Sequence, residues 1–315
     1  MNKHLPQIKF VLCFFLIGIA FISCDSVEDK KGRFLLKGNN KLMDNDYEGA
    51  IDFYNEAIQL DPEFSDAFYN RGIAYGHLSK LDQAISNFTK AIELQNDYAD
   101  AFYQRGLTYL DNGENYKALE DAEQLTVISP EDHRGYFIKG LVQEQLQRYP
   151  ESLESFTKAI KYDSANTDLY VNRATIYYYL EDFESAKQDL TKAQEFNPEE
   201  ANIYNLKSLI VFEEGKTQEA LELVEKAINL NTGQAYYYNN RGLYRLFNNE
   251  LEKGLEDINF SIKQNRHNLY ALRNKGIYYY FKKDKALAIK YLEDVYQKAP
   301  SINLTKKYLD LAQEM

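Results

Sequence analysis

Few residues of this 315-residue chain have the types and spacing that catalysis requires. Acid–base or nucleophilic chemistry needs side chains that converge on one point. No His-Glu-x-x-His motif or Cys/His cluster occurs, and the four histidines are spread along the chain at His4, His77, His133 and His267. Gly215–Lys216–Thr217 matches the end of a phosphate-binding loop, but Ile210 replaces the earlier glycine, so we interpret it as a turn. We expect no enzyme activity, no cofactor and no metal site.

The start of the chain carries a different chemistry, lipid attachment. A start with two lysines precedes the apolar run Phe10–Ile22, which is shorter than the roughly 20 residues that span a bilayer. Such a leader is typical of a secretory signal. The run ends in Ser23–Cys24, which resembles a bacterial lipobox, where a small residue precedes a cysteine that receives lipid. We expect residues 1–24 to be a lipoprotein signal peptide with lipidation at Cys24. The alternative is an ordinary cleaved signal or a short anchor.

Residues 25–30 are polar and are predicted to form a tether between the lipid and the folded part. Their acidic residues resemble the export signals of surface lipoproteins in some bacterial groups, and the alternative is a solvated linker. We expect a lipid-anchored protein of the bacterial cell envelope, with the outer membrane favoured and its periplasmic or surface face left open.

The charge of the chain limits its partners. The leader holds two lysines and no acidic residue, so the formal net charge of −11 becomes −13 for residues 25–315. Binding to nucleic acid needs a cationic surface, and docking flat onto anionic lipid does too. We therefore expect no nucleic-acid partner, and contact with the membrane only through the anchor.

A repeat of 34 residues organises the rest of the chain. A fixed period between 20 and 50 residues is typical of repeat arrays. Eight copies fill residues 31–302 without an insertion, and we call a set of equivalent positions a rung. Two rungs hold small residues: Gly38, Gly72, Gly106, Gly140, Ala174, Ser208, Gly242 and Gly276, and then Ala50, Ala84, Ala118, Ser152, Ala186, Ala220, Gly254 and Ala288.

Each repeat reads as a helical hairpin. In the second copy, apolar residues fall at helical spacing between Ala67 and Leu78 and again between Ala84 and Leu94, with a polar connection at Ser79–Asp82. A glycine inside a helix costs about 1 kcal/mol relative to alanine, so its recurrence indicates that two helix backbones approach closely. Because one hairpin cannot bury both of its faces, the hairpins are expected to stack.

These residues resemble the tetratricopeptide repeat. In the second copy the match is carried by Phe68, Gly72, Tyr75, Ala84, Phe88 and Ala91. The resemblance implies an all-α fold, a right-handed superhelical solenoid of eight 34-residue helical hairpins over residues 31–302. Residues 303–315 are predicted to form a C-terminal capping helix. It also implies that the first helix of each hairpin lines a concave groove that binds proteins or peptides.

The groove wall implied by this resemblance supplies candidate binding residues. Aromatic rings offer contact area and primary amides can bond a partner's backbone; the alternative is that both pack within the array. The cationic rung, which begins at Lys37 and Arg71, either holds an acidic segment or lies along the hairpin with its head on a carboxylate such as Asp121 or Glu154. The candidates are Tyr69, Asn70, Arg71, Tyr103, Gln104, Arg105, Phe137, Asn172, Arg173, Tyr178, Asn240, Arg241 and Asn274.

Two functions follow from this interpretation. The first is a membrane-tethered scaffold that binds a protein or peptide in the groove and takes no small-molecule substrate. The alternative is an adaptor that recruits a cell-wall or secretion enzyme through its outer surface. Substitution in the groove separates the two, because only the first function requires the groove.

Overall fold

The computed structural model describes residues 26–315, and all 17 regular elements in that range are α-helices. The predicted signal peptide and Cys24 lie outside the described residues. The helices are α1(Val27–Met43), α2(Tyr47–Leu60), α3(Ser65–His77), α4(Leu81–Leu94), α5(Ala99–Asp111), α6(Asn115–Ile128), α7(His133–Gln145), α8(Tyr149–Tyr162), α9(Thr167–Tyr179), α10(Phe183–Phe196), α11(Ala201–Glu213), α12(Thr217–Leu230), α13(Ala235–Phe247), α14(Leu251–Gln264), α15(Leu269–Phe281), α16(Lys285–Lys298) and α17(Thr305–Glu314).

These helices pair into eight hairpins at the predicted period, followed by α17. We call the odd-numbered helices α1 to α15 the A helices and the even-numbered ones the B helices. The expected all-α repeat fold is confirmed. Among residues 26–315, the structure contains no helix with both the length and the apolar character needed to cross a bilayer.

Residues 27–30 of the predicted tether belong to helix α1, and Asp25 lies outside the described residues. Helix α1 begins at Val27 because Ser26 and Asp29 form a capping box: the Ser26 hydroxyl accepts a hydrogen bond from the Asp29 amide, and the Asp29 carboxylate accepts one from the Ser26 amide. Both bonds satisfy amides that would otherwise lack a partner at the start of the helix. Asp29 of this segment therefore helps to begin the first hairpin.

The turn inside each hairpin is built in the same way in every described repeat. One residue adopts a left-handed conformation, and the next amide bonds a carbonyl five residues earlier, as in Lys80 N to Tyr75 O at 2.9 Å. This is a Schellman motif, which satisfies carbonyl groups at the end of the A helix. The left-handed residues recur every 34 positions: Asn45, Ser79, Gly113, Gln147, Glu181, Gly215, Asn249 and Lys283.

In most repeats, the glycine is required by a neighbouring side chain and not by the predicted close approach of two backbones. A Cβ atom placed on Gly72 would lie 2.6 Å from the Phe88 ring, and one on Gly140 would lie 2.6 Å from the Phe156 ring. Gly72 and Gly140 therefore make room for an aromatic side chain of the B helix, as Gly38 does for Tyr54, whereas Gly106 and Gly276 face Ile138 and Leu292. In the seventh repeat two backbones also approach closely, since a Cβ on Gly242 would lie 2.9 Å from the Gly254 carbonyl oxygen.

The described helices divide into two compact units, each with its own core. Unit 1 ends at Gln95 and contains α1 to α4 around Ala50, Ile51, Tyr54 and Ala74. Unit 2 begins at Asn96 and contains α5 to α17.

Unit 2 has a small core among α5, α6 and α7 and a larger one that runs from α9 to α17. Helix α17 packs on α15 and α16 and buries Tyr308, Leu309 and Ala312, so it covers the end of this core as a cap does.

Candidate protein-binding surface

In unit 2 the A helices lie on the inner side of the hairpin stack. Neighbouring A helices contact one another directly, α5 with α7, α9 with α11, α11 with α13 and α13 with α15, whereas no two B helices of this unit pack to the same extent. Helices crowd on the inner side of a curved stack and spread on the outer side. The exposed residues of the A helices therefore form a concave surface, which we call the inner face.

Three arginines of the cationic rung bind an aspartate of their own hairpin. The Arg105 guanidinium donates two hydrogen bonds to the Asp121 carboxylate, at 2.8 and 2.6 Å. Arg173 binds Asp189 in the same way, with both bonds at 2.8 Å. The third such pair is Arg241 with Asp257. Each aspartate lies on the B helix 16 residues after its arginine and is almost fully buried.

The remaining members of this rung use neutral partners. Arg71 donates to the side-chain oxygens of Asn87 and Asn55, and Lys207 donates to Gln194. The expected carboxylate contact is thus found at Asp121 but not at Glu154, which binds Lys158 instead. The structure therefore corrects the assignment of Arg71, Arg105, Arg173 and Arg241 to a partner surface, because their guanidinium groups already bind the hairpin.

The candidate amides divide into two kinds. Asn70 and Asn172 are half-buried, and each donates to a carbonyl of its own helix four residues earlier, at 2.8 Å. Asn240 donates to the Asn205 side chain at 2.9 Å and so links α13 to α11. Asn274 has no exposed surface, donates to Asn239 and accepts from Arg273, so it links α15 to α13. The prediction that Asn274 binds a partner is therefore wrong, because its side chain joins two repeats and a partner cannot reach it.

The candidate rings pack mainly against their own hairpins. Tyr69 lies against Phe88 with ring centroids 5.9 Å apart, and Phe137 lies against Phe156 at 6.1 Å. The Arg134 guanidinium covers the Tyr103 ring at 5.1 Å, and burial raises the pKa of the Tyr103 hydroxyl. Gln104 is half-buried on α5. Tyr103, Gln104 and Phe137 of unit 2 keep some exposed surface, so they border the inner face without projecting from it.

The second half of the inner face carries the more accessible rings. Tyr178 packs between Tyr179 and Phe183, and burial raises the pKa of its hydroxyl. Tyr179 and Tyr270 are 46% and 53% exposed, which marks them as surface that a partner could cover. Tyr270 was missed from sequence because its rung is polar in most of the earlier repeats, as at Asp66, Asp100 and Asp168, and carries a ring only at Tyr236 before it.

Arg273 is the one buried arginine among residues 26–315. It is 6% exposed, and it donates to the Asn274 side chain and to the Asn303 carbonyl, both at 2.9 Å. Burial lowers the pKa of its guanidinium to about 10, which leaves it charged at neutral pH. Asn303 also donates to the Glu213 carboxylate at 3.4 Å, so the segment before α17 reaches the inner face.

The fold and this surface define a class of protein: an α-helical repeat protein whose exposed inner face is suited to binding other chains. Residues 38–79 and 77–113 match a model described as TPR repeat, and residues 103–167 and 171–236 match one described as tetratricopeptide repeat. The chain belongs to the tetratricopeptide-repeat family.

Similar proteins agree with this assignment. A Hsp70-Hsp90 organizing protein of Triticum aestivum is 26% identical over 133 residues, 42% of this chain and 17% of the relative, so the chain matches only a small part of such relatives. A tetratricopeptide repeat protein from Parabacteroides merdae has a TM-score of 0.61 at 17% identity and covers 90% of this chain and 99% of its own. The Cut9-Hcn1 complex of the APC/C has a TM-score of 0.70 at 13% identity, covering 92% of this chain and 57% of its own. These structural similarities show the fold.

Proposed function

We propose that this protein is a membrane-tethered scaffold that binds a protein or peptide partner on the inner face of its repeats. The observation that carries the proposal is the set of exposed rings on the inner face of unit 2, of which Tyr179 and Tyr270 are the most accessible. Tyrosine offers large contact area at a low cost in conformational entropy, and it is enriched at protein interfaces. Relatives named as Hsp70-Hsp90 organizing proteins also support a protein as the partner.

The binding experiment compares two faces of the same unit. Partners are captured by crosslinking the full-length chain in its membrane, identified, and measured again as purified pairs with the chain in detergent. The inner-face variant is Gln104→Ala with Asn172→Ala, since neither side chain joins two helices. The control is Tyr116→Ala with Val127→Ala on α6, whose side chains are 64% and 72% exposed on a B helix.

The two variants separate the two functions. We expect the inner-face variant to weaken partner binding at least about tenfold, because it removes roughly one or two interfacial hydrogen bonds. The control should bind the partner as the parent does. The reverse result would refute the inner-face proposal and support an adaptor that recruits an enzyme through its outer surface.

The membrane tether is the second part of the proposal. It rests on the short apolar run and on Cys24, which is the only cysteine after Cys13. Lipoproteins that carry several acyl chains are anchored stably, whereas one chain binds a membrane only marginally. We expect Cys24→Ser to release the protein from envelope membranes or to leave an uncleaved precursor. Unchanged fractionation, with no lipid found by mass spectrometry, would reject the tether without affecting the binding proposal.

A further inference from the structure

Among residues 26–315, Arg71 is the arginine of the cationic rung whose guanidinium binds no carboxylate. Its Nε donates to the Asn87 side-chain oxygen at 2.7 Å, and its Nη1 donates to the Asn55 side-chain oxygen at 2.6 Å. These bonds hold the guanidinium between helices α2 and α4 of unit 1. A guanidinium group has five N–H donors, so the two neutral partners leave further donors unused and the positive charge unpaired.

Three other hairpins show which partner an arginine at this rung takes. Arg105 donates from Nε and Nη2 to the two oxygens of Asp121, and the pairs of the fifth and seventh hairpins repeat this arrangement. Asn87 stands at the position of that aspartate, and its nitrogen donates to the Gln83 carbonyl at 2.7 Å. Only one oxygen therefore faces Arg71, and its Nη2 lacks the bond that a second carboxylate oxygen supplies elsewhere.

The pKa of Arg71 agrees with this geometry. Burial lowers the pKa of its guanidinium, and only Tyr75 acts in the opposite direction. Burial acts on Arg105 and Arg173 as well, but their aspartates outweigh it and the pKa of each guanidinium is raised. A charge that is partly withdrawn from water costs free energy unless an opposite charge joins it. An anion from outside the hairpin would supply that opposite charge.

A cavity with room for such an anion lies against Arg71. Its volume is about 370 Å³, and residues of α3 and α4 line it. Phe68 lines it on α3, where the Arg71 guanidinium lies 5.2 Å from the centre of the Phe68 ring. Ser86 and Lys90 of α4 add a hydroxyl and an ammonium group. Glu93 also lines the cavity and accepts a hydrogen bond from Lys90 at 3.2 Å, so two cations face one carboxylate.

The last hairpin has a cavity at the same place with the opposite balance of charge. This cavity is about 580 Å³ and is lined by residues of α15 and α16, including Lys290, Glu293 and Asp294, but no arginine. Asp294 stands at the position that Lys90 takes in the second hairpin. The binding of an anion is therefore favoured at the second hairpin and disfavoured at the last.

We infer that the cavity beside Arg71 is a binding site for a carboxylate group, with Arg71, Lys90 and Ser86 as its donors. The guanidinium fork matches the two oxygens of a carboxylate, and three hairpins of this chain already use that match. The carboxylate belongs either to an acidic side chain of another protein or to a free small acid, and the test separates these sources. The site lies in unit 1, so it goes beyond the proposed binding at the inner face of unit 2.

Calorimetry on the full-length chain in an uncharged detergent, at constant ionic strength, measures the binding. One pair of probes is a nine-residue glycine–serine peptide with a central glutamate and blocked termini, and its glutamine counterpart. The other pair is glutarate and its neutral diamide, glutaramide. We expect the glutamate peptide to bind at least about fivefold more tightly than the glutamine peptide. A preference for glutarate over glutaramide, with no preference between the peptides, would identify a free acid as the ligand.

Substitutions locate the binding. Asn87→Asp supplies a carboxylate from within the hairpin, as the third hairpin does, so it should remove the preference for glutamate and raise the melting temperature. Arg71→Gln should also remove the preference, and Lys90→Gln should weaken it. The matched control is Lys192→Gln in the fifth hairpin, because Lys192 occupies the same rung as Lys90 and also binds a glutamate three residues later. The control should bind the probes as the parent does.

Several outcomes would overturn the inference. The first is the absence of any preference for the charged member in both pairs of probes. The others are tighter binding of inorganic phosphate than of glutarate, a parent-like preference or a lower melting temperature in Asn87→Asp, and equal losses in Lys90→Gln and Lys192→Gln. Asn87→Asp reproduces a pair that three hairpins contain, so it decides the question even where Arg71→Gln fails to fold.

Discussion

At the scale of single residues, an aspartate decides what each arginine of the cationic rung does. Arg173 and Asp189 expose only 16% and 8% of their side chains, so both charges are largely removed from water. Such a pair is costly to form and much costlier to break, because one charge would remain buried alone. Where the B helix supplies Asn87 in place of aspartate, Arg71 meets a neutral oxygen, and Lys207, whose equivalent position holds Leu223, binds Gln194 of the preceding B helix. In each of these repeats the cation of the rung therefore binds within the helical array.

Gly72 and Gly76 give a matched pair on helix α3. A Cβ on Gly72 would meet the Phe88 ring at 2.6 Å, whereas a Cβ on Gly76 would meet nothing within 4 Å. Alanine gains up to about 1 kcal/mol over glycine in a helix, but a clash in a packed core costs about 1–3 kcal/mol. We expect Gly72→Ala to destabilise the protein and Gly76→Ala to stabilise it slightly in urea unfolding. The same sign for both variants would contradict the packing explanation.

At the scale of elements, the sequence predicted the helices well because their signals are local. The second hairpin was expected near residues 67–78 and 84–94, and its helices span Ser65–His77 and Leu81–Leu94. The glycine rung was also visible, but its cause was not. Whether a glycine faces a backbone or the ring of Phe88 depends on how two helices are offset, and spacing within one helix does not fix that offset.

The amide rung shows the same limit more clearly. Asn70 and Asn172 bond their own helices, whereas Asn240 and Asn274 bond the preceding A helix, although all four occupy one rung. The difference arises because α11 and α13 present Asn205 and Asn239 as acceptors. Of the aspartates that pair with the cationic rung, the sequence analysis named only Asp121. The partners lie 16 residues apart on two helices, so the spacing within one helix does not reveal them.

The left-handed turn positions lead to a prediction for the hairpin. Gly215 has φ of +80°, while Lys283 adopts φ of +60° with a side chain that disfavours it. A residue other than glycine costs roughly 1–2 kcal/mol in this conformation. We expect Lys283→Gly to stabilise the protein by up to about 1 kcal/mol and Gly215→Ala to destabilise it by about 1 kcal/mol. Urea unfolding measures both, and a loss of stability in Lys283→Gly would show that the lysine side chain, not its backbone, matters there.

At the scale of the whole molecule, ionic contacts make stability depend on pH. Glu214 receives hydrogen bonds from Lys187 and, at 2.6 Å, from Lys216, and these contacts lower its pKa to about 2. A carboxyl group with a lowered pKa stabilises the folded state above its unfolded pKa, and that contribution is lost as the pH falls through the folded pKa. Glu214→Gln should therefore be less stable than the parent at pH 7, with the difference closing between pH about 4.5 and about 2.

The measurement is the melting temperature of both proteins across that pH range. Because the contact is on the surface, the difference at pH 7 should be small and should shrink in high salt. Glu123→Gln on α6 serves as the control. A difference between parent and Glu214→Gln that stays constant from pH 7 to pH 2 would show that the ion pairs do not supply it.

The links between A helices determine how far a defect spreads through unit 2. Asn274→Ala leaves the Asn239 side-chain oxygen and the Arg273 Nε without their bonds in a fully buried place, at a cost of about 1–3 kcal/mol. Asn172→Ala removes only a bond to its own helix, and alanine favours the helix, so its effect should be small. In an array, each repeat is stabilised mainly by its neighbours. We therefore expect hydrogen exchange of Asn274→Ala to lose protection in α13 and α15 while α5 to α8 keep theirs. Equal loss of protection from α5 to α17 would mean that unit 2 unfolds as one cooperative body, and a large effect of Asn172→Ala would show that the half-buried amides also hold repeats together.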